Sequence, residues 1–222
     1  MKLSINLFKT LNGVSQAPGG PDEDTRGGFT DGGWLFTDGG WLFTVWDTGC
    51  EQAANRWFTQ GDALLLGRTT YDIFAGYWPQ VTDPDNDVAT FLNTAHKYVV
   101  TSRPVDGPWA DTTSALGDRF LEDITELKAS GEDKELQVHG SIQLARTLHE
   151  AGLVDTYRFL IAPVTVGPGA GLFDGSGPSY KMNVQHGVVT DNGVFDVEMT
   201  PEQMVITQMP TVRDGKDVVE EV

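Results

Sequence analysis

Gly67, Arg68, Thr69 and Thr70 follow an apolar run, Ala63 to Leu66, and open a helical pattern. A buried strand that ends in a glycine, a cation and two hydroxyls at a helix N-terminus is suited to holding a phosphate. Free backbone N–H groups, the helix dipole and the guanidinium all act on one small volume there. Two later junctions share this chemistry. Lys97 to Ser102 reads as a strand whose end carries Thr101, Ser102 and then Arg103. Glu135 to His139 is a short strand, after which Gly140 and Ser141 open a helix from Ile142 to Glu150. Ligands of open α/β sheets gather beyond the carboxyl ends of the parallel strands. Two arginines and two helix starts suit a dinucleotide with an extra phosphate better than a mononucleotide.

Other chemistries lack their residues. No Gly-x-Gly-x-x-Gly follows the first strand, and no Gly-x-x-x-x-Gly-Lys-Ser/Thr occurs, which argues against a Rossmann fingerprint and a nucleotide triphosphatase. The single Cys50 excludes an internal disulfide and a cysteine-rich metal site. His96, His149 and His186 are scattered without ligand spacing, so no metal is expected. The net charge of −17 argues against nucleic acid or an anionic membrane as partner. Its 21 Asp and 11 Glu against 7 Lys and 8 Arg fit either a salt-adapted host or an ordinary acidic enzyme. Met1-Lys2 leads straight into an alternating strand, and no apolar run is long enough to span a bilayer. A cytoplasmic protein acting on a small molecule is the expectation.

The elements that must position these junctions begin with a strand over Leu3–Phe8 and a turn at Thr10–Gly13. Residues 14–46 form a long loop rich in glycine and aromatics, inside which Asp31–Thr37 is repeated at once as Asp38–Thr44. Paired glycines in each copy break any helix, so the repeat reads as a lengthened surface loop or a lid over a flat ring. Helices are expected over about Cys50–Gln60, from Arg68 onward, over Asp87–His96 and around Phe120, Leu121, Ile124 and Leu127. An apolar strand over Leu153–Val166 follows, then three strands near 182–189, 194–199 and 203–209. Strands alternating with helices, then closing antiparallel strands, give an α/β domain with a mixed sheet. One domain over residues 1–209 and a loose acidic tail over 210–222 are expected.

These segments, in this order, resemble the dihydrofolate reductase fold. The resemblance is to the family that contains the reductase domain of the bifunctional riboflavin-biosynthesis deaminase–reductase. It rests on Leu64–Phe74, Lys97–Arg103, Leu136–Ser141, and Leu153–Tyr157 with Pro163–Gly169 and Leu172-Phe173, and runs from Leu3 to about Gln208. Gln16–Pro21 and one Gly-Gly-Trp are also similar. The resemblance implies a three-layer fold, with a mostly parallel sheet, helices on both faces and antiparallel strands at the C-terminal end. It also implies NADPH. Gly67, Arg68, Thr69 and Thr70 would sit by the cofactor's phosphates, and Thr101, Ser102 and Arg103 by the adenosine 2′-phosphate. Gly140, Ser141 and Ile142 would lie under the pyrophosphate. His139 would end the strand beside the nicotinamide cleft. A pteridine- or pyrimidine-like heterocycle would receive the hydride, and homodimerisation is the family habit.

Two departures bear on the reaction. The family's first turn commonly carries Asp where this chain has Asn12, which can only hydrogen-bond. Asp47 is the best remaining carboxylate for holding a substrate amide or relaying a proton, with a helix N-cap as its alternative role. The deaminase half has no counterpart, because no His-x-Glu with Pro-Cys-x-x-Cys occurs. No further basic pocket for a ribose phosphate is evident. A non-catalytic nucleotide-binding or interaction protein that keeps the fold is therefore a second expectation.

Overall fold

The computed structural model describes residues 1–20, 23–30, 40–131 and 133–221. Strand β1 (Lys2–Thr10) lies inside an eight-stranded sheet. Its alternate residues Leu3, Ile5 and Leu7 face one helix layer, while Ser4, Asn6 and Phe8 face the other. The remaining strands are β2 (Ala63–Gly67), β3 (His96–Val100), β4 (Thr113–Leu116), β5 (Glu135–His139), β6 (Thr156–Ala162), β7 (Tyr180–Val189) and β8 (Phe195–Gln203). Their order across the sheet is β4-β3-β2-β5-β1-β6-β8-β7. Pairing is parallel from β4 through β6 and antiparallel for β6–β8 and β8–β7. This is the three-layer, mostly parallel architecture expected.

Helices α4 (Phe120–Ser130) and α5 (Ile142–Glu150) cover one face, where Ile124, Leu144 and Leu148 bury against Leu3, Ile5, Leu65, Leu136 and Val138. Helices α1 (Thr48–Thr59), α2 (Arg68–Tyr77) and α3 (Asp87–Thr94) cover the other. There Phe58, Tyr71 and Leu92 pack on Leu64, Leu66 and Val99. Leu64, Leu65 and Leu66 are all fully buried because the strand has a helix layer on each side. The three side chains together remove enough apolar surface to contribute about 5–9 kcal/mol before chain entropy is counted. Among the described residues no helix is long and apolar enough to cross a membrane.

The long loop packs on the body where it is described. Trp41 and Leu42 bury against Val14, Ala17, Phe29 and Ala162, and the Trp41 indole N–H donates to the Gln16 carbonyl at 2.9 Å. A Cβ on Gly40 would lie 2.1 Å from the Pro18 oxygen, so that approach requires glycine. The first copy of the repeat falls outside the described residues.

Three expectations differ. The strand expected over Leu153–Val166 is only β6, because Pro163 offers no N–H to continue the ladder. No strand spans 203–209: β8 runs on to Gln203, and Met204, Val205 and Ile206 are exposed. The tail expected to be loose forms a hairpin of β9 (Gln208–Arg213) and β10 (Lys216–Glu221). Asp214 (φ 50°) and Gly215 (φ 73°) supply the left-handed pair that a two-residue hairpin turn requires.

Candidate functional site

The β2–α2 and β5–α5 junctions touch directly. The Gly67 N–H donates to Ser141 Oγ at 2.9 Å, and the Ser141 N–H donates to Thr70 Oγ1 at 3.0 Å. Neither helix start has a side-chain cap: Gly67 lacks a side chain, and the Ser141 hydroxyl is engaged by the neighbouring junction. The first-turn N–H groups at Arg68–Thr70 and Ile142–Leu144 are thus two uncapped donor sets side by side. Gly140 (φ 57°) and Ser141 (φ 52°) both adopt the left-handed conformation that opens this turn. A Cβ on Gly140 would sit 3.3 Å from Thr70 Cγ2, which adds crowding to the backbone strain a larger residue would bring.

Arg68 ties in the third junction. Its Nη1 donates to the Pro104 carbonyl at 2.7 Å and its Nε to Asp72 Oδ1 at 2.8 Å. Arg103 Nη2 lies 3.7 Å from the other Asp72 oxygen. Thr101 Oγ1 accepts the Arg103 N–H at 3.0 Å and so turns the backbone at the end of β3. Ser102, Arg103 and Thr69 are exposed, leaving hydroxyls and a guanidinium open to solvent. Two uncapped helix starts, two arginines and exposed hydroxyls form a donor set suited to an extended polyanion.

Beneath this edge, β1 and β5 carry a buried polar chain on the α1 face. Glu135 pairs with Arg158 of β6 (Nη1–Oε1 2.5 Å), whose Nε reaches Glu198 of β8 at 2.7 Å. Arg158 Nη1 also donates to Asn6 Oδ1 at 3.2 Å. The Gln137 amide nitrogen donates to the Trp57 carbonyl at 2.6 Å and to Glu135 Oε1 at 2.9 Å. Its oxygen is left to accept, so His139 donates from Nε2 at 2.8 Å. The His139 ring stacks on Phe58, with centroids 4.1 Å apart and planes 8° apart. Burial, and secondarily the Arg158 guanidinium, push its pKa down to about 3. His139 is a neutral ring inside the protein, buried behind the edge where the junctions meet.

Asn12 and Asp47 are engaged in other contacts. Asn12 accepts from Thr10 Oγ1 at 2.7 Å and donates to the Val166 carbonyl at 2.9 Å, joining the end of β1 to the loop after β6. Asp47 is the N-cap of α1. Its Oδ1 accepts the Cys50 N–H at 2.9 Å and its Oδ2 the Asn192 N–H at 2.7 Å. Burial raises its pKa, but the Asn192 and Cys50 N–H groups more than offset this and bring it down to about 2. Asp47 is therefore ionised near neutral pH and able to accept a hydrogen bond, not to give a proton. These hydrogen bonds run to Thr10, Val166, Cys50 and Asn192, none of which belongs to the three junctions.

Residue reading overlooked Asp72 and the interior set Asn6, Glu135, Gln137 and Arg158. Asp72 stands four residues after Arg68, the helical spacing of an ion pair. The interior set shows as polar residues alternating within strands otherwise buried on both faces, Ser4-x-Asn6 and Glu135-x-Gln137-x-His139.

Known proteins match this arrangement. The family model of the RibD C-terminal domain matches residues 1–195. The uncharacterized protein YyaP of Bacillus subtilis is 31% identical over 118 residues, covering 51% of this chain and 60% of YyaP. A riboflavin biosynthesis-type protein of Shewanella sp. PV-4 superposes with a TM-score of 0.61 at 19% identity, over 91% of this chain and all of that one. The diaminohydroxyphosphoribosylaminopyrimidine deaminase/5-amino-6-(5-phosphoribosylamino)uracil reductase of Thermotoga maritima superposes with a TM-score of 0.56 at 16% identity. This chain covers only 56% of that bifunctional protein's length. With a family model spanning most of its length and a sheet of the same architecture, the chain belongs to the RibD C-terminal domain family.

Proposed function

We propose that this protein is an NADPH-dependent reductase of a small pteridine- or pyrimidine-like heterocycle, working in the cytoplasm as a homodimer. The observation that carries the reading is the meeting of three strand-end junctions through Gly67–Ser141, Thr70–Ser141 and Arg68–Pro104. When bound, the nicotinamide cofactor supplies the hydride. The chain's own work is to hold phosphates, align the reacting groups and keep water out. Thr69 and Thr70 would sit by the cofactor's phosphates, Gly140, Ser141 and Ile142 under the pyrophosphate, and Arg68, which shares Asp72 with Arg103, would act with Ser102 and Arg103 on the 2′-phosphate. The substrate's proton would come from water, because Asp47 is ionised and Asn12 has no acidic proton. The cytoplasm follows from where such a cofactor is regenerated. A dimer is supported by Val184, Val189 and Phe195, apolar and exposed on the outer strands β7 and β8.

Titration with NADPH and NADH, followed by NADPH oxidation with pteridines and pyrimidines, tests the reading. Arg68→Ala should weaken NADPH at least tenfold, as loss of a charge-assisted contact predicts, with a smaller effect on NADH. Equal losses for both cofactors would overturn the phosphate assignment. A second reading, nucleotide binding without turnover, is favoured by one observation: Asn12 and Asp47 are both committed to loop contacts. Tight NADPH binding with no oxidation across those substrates would establish it.

A further inference from the structure

The carboxylate of Asp72 has no place in the phosphate site as the junctions describe it, yet it lies between both arginines. Oδ1 takes the Arg68 Nε at 2.8 Å, and Oδ2 faces Arg103 Nη2 at 3.7 Å. Arg68 is also fixed by the Pro104 carbonyl and is mostly covered, with 19% of its side chain exposed, whereas Arg103 is 65% exposed and Asp72 47%. Arg68 is therefore covered and fixed by two short contacts, Arg103 is exposed and held by one longer contact, and an internal anion sits between them.

We infer that Asp72 is a specificity-determining residue that stands in for the cofactor's 2′-phosphate, holding Arg68 and Arg103 in register and lowering the gain from that phosphate. The inference rests on the reading of Arg68 and Arg103 as phosphate ligands. Its physical content is a competition. An arriving phosphate meets two guanidinium groups already partly neutralised, and it must share or displace a carboxylate of like charge. Arg103, held by the longer contact, is the group that moves to the ligand. Arg68 keeps its direction through the Pro104 carbonyl. Asp72 thus trades cofactor affinity for an ordered, partly screened site. Selection between phosphorylated and unphosphorylated dinucleotides is then set by three residues rather than by the arginines alone.

Asp72→Asn separates charge from shape, because the amide oxygen can still accept from Arg68 Nε. Kd values for NADPH, NADH and 2′,5′-ADP are to be measured for the wild type and this variant at low and moderate salt. Removing one exposed like charge should tighten NADPH and 2′,5′-ADP about three- to fivefold, the scale of a surface ion pair. NADH should be unchanged, and the gain should shrink as salt rises. Unchanged or weakened NADPH binding would overturn the inference while leaving the cofactor reading in place. Equal tightening of NADPH and NADH would place the action of Asp72 at the pyrophosphate and also overturn it. A wild type that does not distinguish NADPH from NADH, and does not bind 2′,5′-ADP, would remove the cofactor reading itself. Thermal unfolding of the variant at the wild-type midpoint confirms that the fold is intact.

Discussion

His139 is held neutral by its surroundings, and that has a measurable acid cost. Its pKa is about 3 in the fold against 6.5 for a free imidazole. The unfolded chain therefore binds more protons between those values, and folding stability must fall as pH drops through that window. Above about 6.5 the group contributes no pH dependence. His139→Gln keeps a donor for Gln137 and removes the titration. Urea unfolding followed from pH 7 downward should show the wild type losing up to about 1.4 kcal/mol per pH unit more than the variant. Parallel curves would mean that the ring protonates without cost. The same residue shows what sequence does and does not reveal. Its position at a strand end beside Gly140 and Ser141 was legible. The side it faces was not, because a ring stacked on Phe58 depends on how α1 lies across β5.

At the scale of elements, helix α1 is fastened at its first turn by Asp47, which also holds the turn between β7 and β8 through Asn192. Removing an N-cap of this kind costs about 1–2 kcal/mol. Asp47→Ala should lower stability by that amount in denaturant unfolding and leave NADPH affinity unchanged. Full stability with lost turnover would instead place Asp47 in the chemistry. The starts of α2 and α5 could be read from local residue types, since glycine, hydroxyls and a change from strand to helix period mark them. The contacts between those starts could not. They arise because β2 and β5 are neighbours in the sheet, 68 residues apart from the end of one to the start of the other. Strand β4 escaped notice because its four residues, Thr-Ser-Ala-Leu, carry little alternation. The β9–β10 hairpin did so because Pro210 interrupts β9 and β10 is mostly charged, although Asp214-Gly215 is a strong turn signal.

For the whole molecule, a charge of −17 means self-repulsion that salt relieves. If the acidic surface is an adaptation to high salt, the unfolding midpoint should rise from low to molar KCl. Light scattering over the same range should report twice the chain mass throughout, since apolar contacts such as those offered by Val184, Val189 and Phe195 strengthen with salt. A flat midpoint would remove salt adaptation, and a single-chain mass would remove the dimer.

The sheet order has one more consequence. β1 precedes every other strand in the chain, yet its neighbours are β5 and β6, beginning at Glu135 and Thr156. During synthesis the chain must carry β1 as an unpaired apolar strand until β5 has been made, with the edge of β2 also waiting for β5. Emergence of β5 closes the gap between them and brings Ser141 to Gly67 soon after. Closure of the sheet and assembly of the contacts between the β2–α2 and β5–α5 junctions are therefore nearly simultaneous events.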